Sequence, residues 1–353
     1  MKGVLIGIAI FLAVILVAIG GFKLYDYIGA AEFYNNSDAV FKTPGVNNSN
    51  FVPQGMSYIP EKDTFLFTGY MGKPILGKLG DDIASRIYVK DGKDNVTFTK
   101  LLNVDGTPYI GHAGGVDSFG DYIYITSEES HGIDVFSASE ILSGVGETKS
   151  VGRINTYNNP AYCYIYEFKG EKYLMVGSFH KDESAYVTPE HERITTPAGD
   201  KNTSVMTVFK LDPGAELGVQ PEPVAIISVR EMIQGICITP DGQMVISSSW
   251  GLATSNLYFY DLSNVECTEN YNYKGTVIYG DDENEVKFDF TIPCYYIDSS
   301  DFVDVVVAPP MSEGLVCRDG KIIMLSESAC NKYMFGKLTT GFKTYGYNYN
   351  TLE

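Results

Sequence analysis

Basic residues are scarce in this chain. Its 353 residues carry 26 Lys and Arg against 44 Asp and Glu, a formal net charge of −18. Phosphate polymers are repelled by such a balance, and no basic stripe, zinc-finger spacing or aromatic-plus-Arg pattern offsets it. Nucleic acid is therefore excluded as a partner. Cys-x-x-Cys is absent, which leaves a thioredoxin-like redox site or structural zinc site without support. Gly-x-Ser-x-Gly, His-Glu-x-x-His and phosphate-loop signatures are also missing. The Gly-rich segment 111–115 leads into a strand pattern rather than a helix, so it is no dinucleotide fingerprint. Tryptophan occurs once and histidine four times. The sequence names no substrate.

One long apolar run is present, Gly3 to Phe22, between Lys2 and Lys23. About twenty apolar residues in a helix span ~30 Å, the hydrocarbon thickness of a bilayer. A cleaved signal has a shorter apolar stretch and a small-residue cleavage site. Only Gly29-Ala30-Ala31 approaches one. The expectation is an uncleaved signal anchor at residues 1–24, a stem at 25–37 and one domain at 38–353. Secretion after cleavage is the alternative. Lys2 and the amino terminus favour a cytoplasmic N-terminus, which places the C-terminal domain outside a single-pass cell membrane.

The rest of the chain repeats one hairpin pattern five times. The copies start at Gln54-Gly55, Gly114-Gly115, Pro160-Ala161, Gln234-Gly235 and Glu313-Gly314. In each, a small residue opens an apolar strand, a polar turn follows, and a β-branched and aromatic strand ends in Ser, Gly or Glu. Third strands read at Arg86–Val89, Gly132–Phe136, Val205–Phe209, Leu257–Tyr260 and Tyr333–Phe335. Fourth strands read at Thr97–Leu102, Val151–Thr156, Val224–Ser228 and Phe302–Val307. Such units cannot bury their own faces and must stack on neighbours. The predicted fold is an all-β, five-bladed β-propeller behind one transmembrane helix. A sixth blade inside Val265–Phe290 is the alternative. Ala39–Lys42 is expected to pair with the last blade and close the ring; the tail Gly341–Tyr349 is the other candidate.

In a propeller, loops entering the inner strands and loops joining second to third strands share one face. That face gathers Gln54, His112, Glu128, His180, Gln234, Trp250, Glu313 and Glu327, which are the candidate ligand-binding residues. The Gly-rich approach around His112 lets a ligand come close to backbone. The acidic stretch Asp281-Asp282-Glu283-Asn284-Glu285 lacks the spacing of a calcium loop. Export permits disulfides, and Cys267 with Cys294 is the first pair to test. Cys163 and Cys237 align in two inner strands as small buried residues.

The phrases Phe51-Val-Pro-Gln-Gly-Met-Ser-Tyr58, Gly111-His-Ala-Gly-Gly-Val116, Gln234-Gly-Ile-Cys-Ile-Thr-Pro-Asp-Gly242 and Ala308-Pro-Pro-Met-Ser-Glu-Gly314 resemble an uncharacterised group of exported bacterial β-propeller proteins. That resemblance implies fold and export, not a reaction. More distantly, Glu313-Gly314-Leu315 and Ser326-Glu327 are similar to lactonase and strictosidine-synthase-like propellers. Those families often hold Ca²⁺ in the central channel, and by that resemblance Glu313 matches an acidic metal ligand. The companion Asn and Asp ligands are not recognisable here. Two functions follow as expectations. The first is a membrane-tethered binding module for an extracellular small molecule, glycan or protein. The second is a metal-assisted hydrolase of a lactone, ester or phosphoester.

Overall fold

The second strand of every repeat is buried on both faces, because each blade is covered on both sides by its neighbours. Thr64–Met71, Tyr122–Ser127, Glu171–Ser178, Gln243–Ser248 and Lys321–Ser326 show this along most of their lengths. The computed structural model describes residues 2–349, apart from 48, 75–77, 79, 81–82, 128–130, 268, 280–283 and 334–335.

The architecture is a five-bladed β-propeller with one N-terminal apolar helix. The innermost strands are Phe51–Ile59, Val116–Phe119, Pro160–Phe168, Ile233–Ile238 and Ser312–Arg318, and each touches the next around a closed circle. Outer strands follow in antiparallel order, ending at Val96–Leu102, Gly152–Asn155, Val219–Val229 and Phe302–Ala308 in blades 1 to 4.

Closure occurs as the sequence suggested. Ser37–Lys42 pairs antiparallel with Lys343–Asn348 and becomes the fourth strand of blade 5. Both candidate segments thus take part, and the tail supplies the third strand. This corrects the assignment of that strand to Tyr333–Phe335. Tyr333 lies in the loop before it, and residues 334–335 lie outside the described residues.

The region Val265–Phe290 does not make a sixth blade. Glu269–Tyr279 and Asn284–Tyr296 form a long hairpin on the outer edge of blade 3, joined in parallel to Val219–Val229. Its Tyr273 and Phe288 rings pack around His191 of the blade 3 insertion. A hairpin that finds an open sheet edge needs no place of its own at the axis. Cys294 pairs in register with Glu269 near its base, and Cys267 and Cys294 are separate thiols.

The axis is closed by glycine. A Cβ on Gly115 would lie 2.4 Å from the Cys163 amide nitrogen, one on Gly314 2.5 Å from that of Met56, and one on Gly235 2.8 Å from Gly314 Cα. The inner strands therefore meet backbone to backbone. In blade 3 the matching position is Tyr162, not Ala161, as the strand register shows. Cys163 and Cys237 consequently do not occupy equivalent places. The space left at the centre is about 10 Å³, scarcely room for one water. Among the described residues, no channel runs through the ring. Instead, one cavity opens at each end.

The chain enters from one rim. Helix α1 (Lys2–Gly29) ends against Thr254, 3.3 Å from where a Gly29 Cβ would stand, and beside Gly336–Leu338. Helix α2 (Ala31–Asn35) then packs on Phe302–Ala308, burying Phe33 against Tyr347. Thr254 and Gly336–Leu338 both belong to loops joining second to third strands. The apolar helix therefore leaves the propeller at the face that carries the candidate residues.

Candidate functional site

A β-bulge recurs at the mouth of the ring and aims the central side chains. The register between inner and second strands slips by one residue at Pro53/Gly55, Pro160/Tyr162, Ile233/Gly235 and Ser312/Leu315. The slips fall on Gln54, Ala161, Gln234 and the Glu313-Gly314 pair. Bulges of this kind redirect a side chain out of the alternating pattern. Gln54, Ala161, Gln234 and Glu313, together with Gly114 of blade 2, contribute one residue per blade to the cavity.

This mouth cavity has a volume of about 360 Å³. Six of the eight candidate residues line it: Gln54, His112, Gln234, Trp250, Glu313 and Glu327. His180 does not. It is fully buried beneath the insertion that follows Ser178. Glu128 lies outside the described residues. The sequence reading missed Lys332 and Tyr333 as site residues, because the aromatic pair Tyr333–Phe335 imitates a short strand. Tyr186 and Phe179 were hidden in the blade 3 insertion, whose path the sequence does not set.

Two aromatic groups face each other across the mouth. From blades 3 and 4, Phe179 stacks on Trp250 at 5.9 Å, and Tyr186 meets Trp250 edge-on at 6.0 Å. From the other side, Tyr70 meets the His112 ring at 4.9 Å. The Lys332 ammonium lies 4.8 Å from the Tyr70 ring centre and 5.0 Å from that of Tyr333. It also donates to the Tyr70 hydroxyl.

Between these groups sit the carboxylates. Gln54 Nε2 donates to Glu327 Oε2 at 2.9 Å. Burial pushes the Glu327 carboxyl up to about 7, opposed by Lys332, the Gln54 hydrogen bond and His112. Glu313 is buried beside Tyr333. Lys332 already supplies a positive charge to Glu327, and the amides Gln54 and Gln234 complete the polar lining. Calcium asks for six to eight oxygen ligands, and a cavity with two acids, one of them already beside an ammonium, does not fit that demand.

Metal-ligating groups do gather elsewhere. His180, Asp182 and Glu231 place ligand atoms within 4.8 Å of one another. The Thr188 backbone N–H donates to His180 Nδ1 at 3.1 Å. Nε2 therefore carries the ring proton and donates to Asp182 Oδ1 at 3.1 Å. That tautomer points a donor, not a lone pair, at the acids. These bonds tie the start of the insertion to its own Thr188 and Asp182.

The same insertion buries Glu192, which accepts from Ser178 Oγ while its Oε1 has no hydrogen-bond partner. Burial raises its carboxyl from 4.5 to about 8. The folded state thus binds this proton more tightly than the unfolded state. Its contribution is fully present below pH 4.5 and declines as pH rises toward about 8. Glu192→Gln is expected to flatten that slope and to stabilise the protein above pH 8 by about 1–3 kcal/mol. Thermal melts of both forms across this pH range check it, and parallel pH profiles would refute it.

On the opposite face, a second cavity of about 270 Å³ is lined by Tyr58, Asp117, Tyr164, Lys172 and Cys317. Asp117 accepts from the backbone N–H of Ile165 at 2.6 Å and of Ser118 at 2.8 Å. Its carboxylate satisfies amides within two adjacent inner strands.

No protein-family profile matches the chain, and no curated protein matches it significantly. Solved structures give distant likenesses. A luciferin-regenerating enzyme is 12% identical over 88% of this chain and 95% of that one, with a TM-score of 0.42. The RS223 β-xylosidase is 12% identical over 88% and 94%, also at 0.42. The PQQ-bound aldose sugar dehydrogenase of Streptomyces coelicolor is 15% identical over 82% and 78%, at 0.36.

Proposed function

We propose that this protein is a membrane-anchored binding propeller, held outside the cell by Val4–Gly29, whose mouth cavity takes a sugar-like polyhydroxylated ligand. One observation carries the reading: the cavity combines two opposed aromatic groups with carboxylate and amide side chains set on bulges between them. Sugar rings present apolar faces to aromatics and hydroxyls to acceptors and amides. A cleft of this size with a few convergent polar groups is the ordinary form of a small-ligand site. Two acids against one lysine disfavour an anionic ligand.

The sole tryptophan makes binding directly readable. Full-length protein in detergent, titrated with neutral mono- and oligosaccharides, is expected to show a saturable change in Trp250 emission. Glu327→Ala is expected to weaken that binding about tenfold, or ~1.4 kcal/mol. A flat response by both fluorescence and calorimetry across the panel would overturn the reading.

A second reading, hydrolysis of a lactone, ester or phosphoester, is favoured by Glu327 alone, whose carboxyl is pushed up to about 7 and so stays partly protonated near neutral pH. Turnover that is lost in Glu327→Gln while binding persists would support it.

A further inference from the structure

We infer that the mouth of the propeller lies on the outer surface of the membrane, so that the cavity receives the head group of a lipid-borne sugar rather than a freely diffusing one. This rests on the anchor and on the sugar-like ligand proposed above, and adds the orientation and the source.

Three observations converge. First, α1 joins the propeller at the mouth rim, with no slack between them. Gly29 abuts Thr254, Ala30 is fully buried, and α2 follows at once. Second, most of the helix stays exposed up to that junction: Leu24, Tyr25, Tyr27 and Ile28 are uncovered, and the one acid there, Asp26, is buried and accepts from the Tyr34 hydroxyl. Tyrosines at a helix end mark the headgroup level. The 26 residues of Val4–Gly29 are about 39 Å long at 1.5 Å per residue, which covers the hydrocarbon core and reaches into the headgroup layer. The rim therefore sits at the interface, not beyond a stalk.

Third, the mouth loops present bare apolar side chains to solvent. Ile110 is 60% exposed, Leu252 47%, Val187 46% and Trp250 43%. They come from three different blades around one opening. Hydrophobic tips surrounding a binding site suit insertion into an interface.

The geometry has a consequence for the ligand. A soluble polymer must slip between rim and bilayer to reach Glu313 and Glu327. A head group already in the membrane plane enters directly.

The test uses full-length protein reconstituted into phosphatidylcholine vesicles that contain nitroxide-labelled phosphatidylcholine. Flotation with the vesicles comes first. Trp250, the only tryptophan, is then expected to lose most of its emission to a shallow nitroxide label and little to aqueous iodide. A chain carrying Trp250→Phe and Tyr58→Trp, with the reporter moved to the far face, is expected to show the reverse. Protein that floats but whose Trp250 is quenched by iodide and not by lipid would overturn the orientation while leaving the anchor intact. Protein that does not float would overturn the anchor and the inference together. Soluble-sugar binding in detergent is a separate readout, so loss of the ligand reading is distinguishable from either.

Discussion

Gly115→Ala is expected to destabilise the propeller by about 3 kcal/mol or more, because the added methyl has nowhere to go. Its Cβ would stand 2.4 Å from the Cys163 nitrogen and 2.7 Å from Tyr162 Cα. Both are backbone atoms of the next inner strand, so no rotamer change relieves the clash. Relief requires blades 2 and 3 to part. In a ring, that displacement is passed to the other blade interfaces, where Gly235 and Gly314 are equally tight. Gly146→Ala is the control, since nothing lies within 4 Å of its would-be Cβ and its backbone is not left-handed. Chemical denaturation of the three proteins measures the difference. Equal midpoints for Gly115→Ala and the parent would show that the inner strands are not in contact at the axis.

Removing the closing strand is expected to be at least as damaging. A chain beginning at Thr43 lacks Ser37–Lys42 and leaves Lys343–Asn348 as a bare edge. It also loses Phe41, whose ring packs 5.0 Å from Phe65, and Phe33, stacked 5.8 Å from Tyr347. Burying one such ring contributes about 1.5–3 kcal/mol. The exposed edge then offers unpaired amides to other chains. Aggregation on expression, or loss of a cooperative melt, is the anticipated outcome. A chain beginning at Ala30 keeps both helix α2 and the closing strand, and should melt close to the parent in detergent. If the two shortened chains melt alike, closure by the N-terminal strand is not what holds blade 5.

Much of the architecture was readable from local pattern. Short turns at Pro240-Asp241-Gly242 and Arg318-Asp319-Gly320 fix hairpins through dihedrals that few residues adopt. Apolar runs such as Ile322–Leu325 declare strands covered on both sides. The closing strand at Ala39–Lys42 was legible because a β-rich segment stood before the first repeat with no partner of its own. Failures came where a segment's partner lies far away in sequence. Tyr333–Phe335 has the composition of a strand, yet Tyr333 turns toward Tyr70 and Lys332 in the mouth. Blade 3 misled by one residue because Tyr162 fills a place where the other blades have glycine. Its ring lies over Gly177, where any Cβ would be 2.0 Å from it. The hairpin Glu269–Tyr296 carried good strand signals, but its destination on blade 3 has none.

The amino-acid sequence determined five copies of one antiparallel unit, an apolar helix ahead of them, and a face on which Gln54, His112, Gln234, Trp250, Glu313 and Glu327 gather. These follow from alternation, turn chemistry and loop position, which are properties of neighbouring residues. Tertiary structure alone decided that glycine shuts the axis, that bulges turn Gln54, Gln234 and Glu313 into one cavity, that Lys332 stands beside Glu327, and that α1 departs from the mouth rim. Each of these depends on the distance between strands of different blades, and that distance is fixed only when the ring closes.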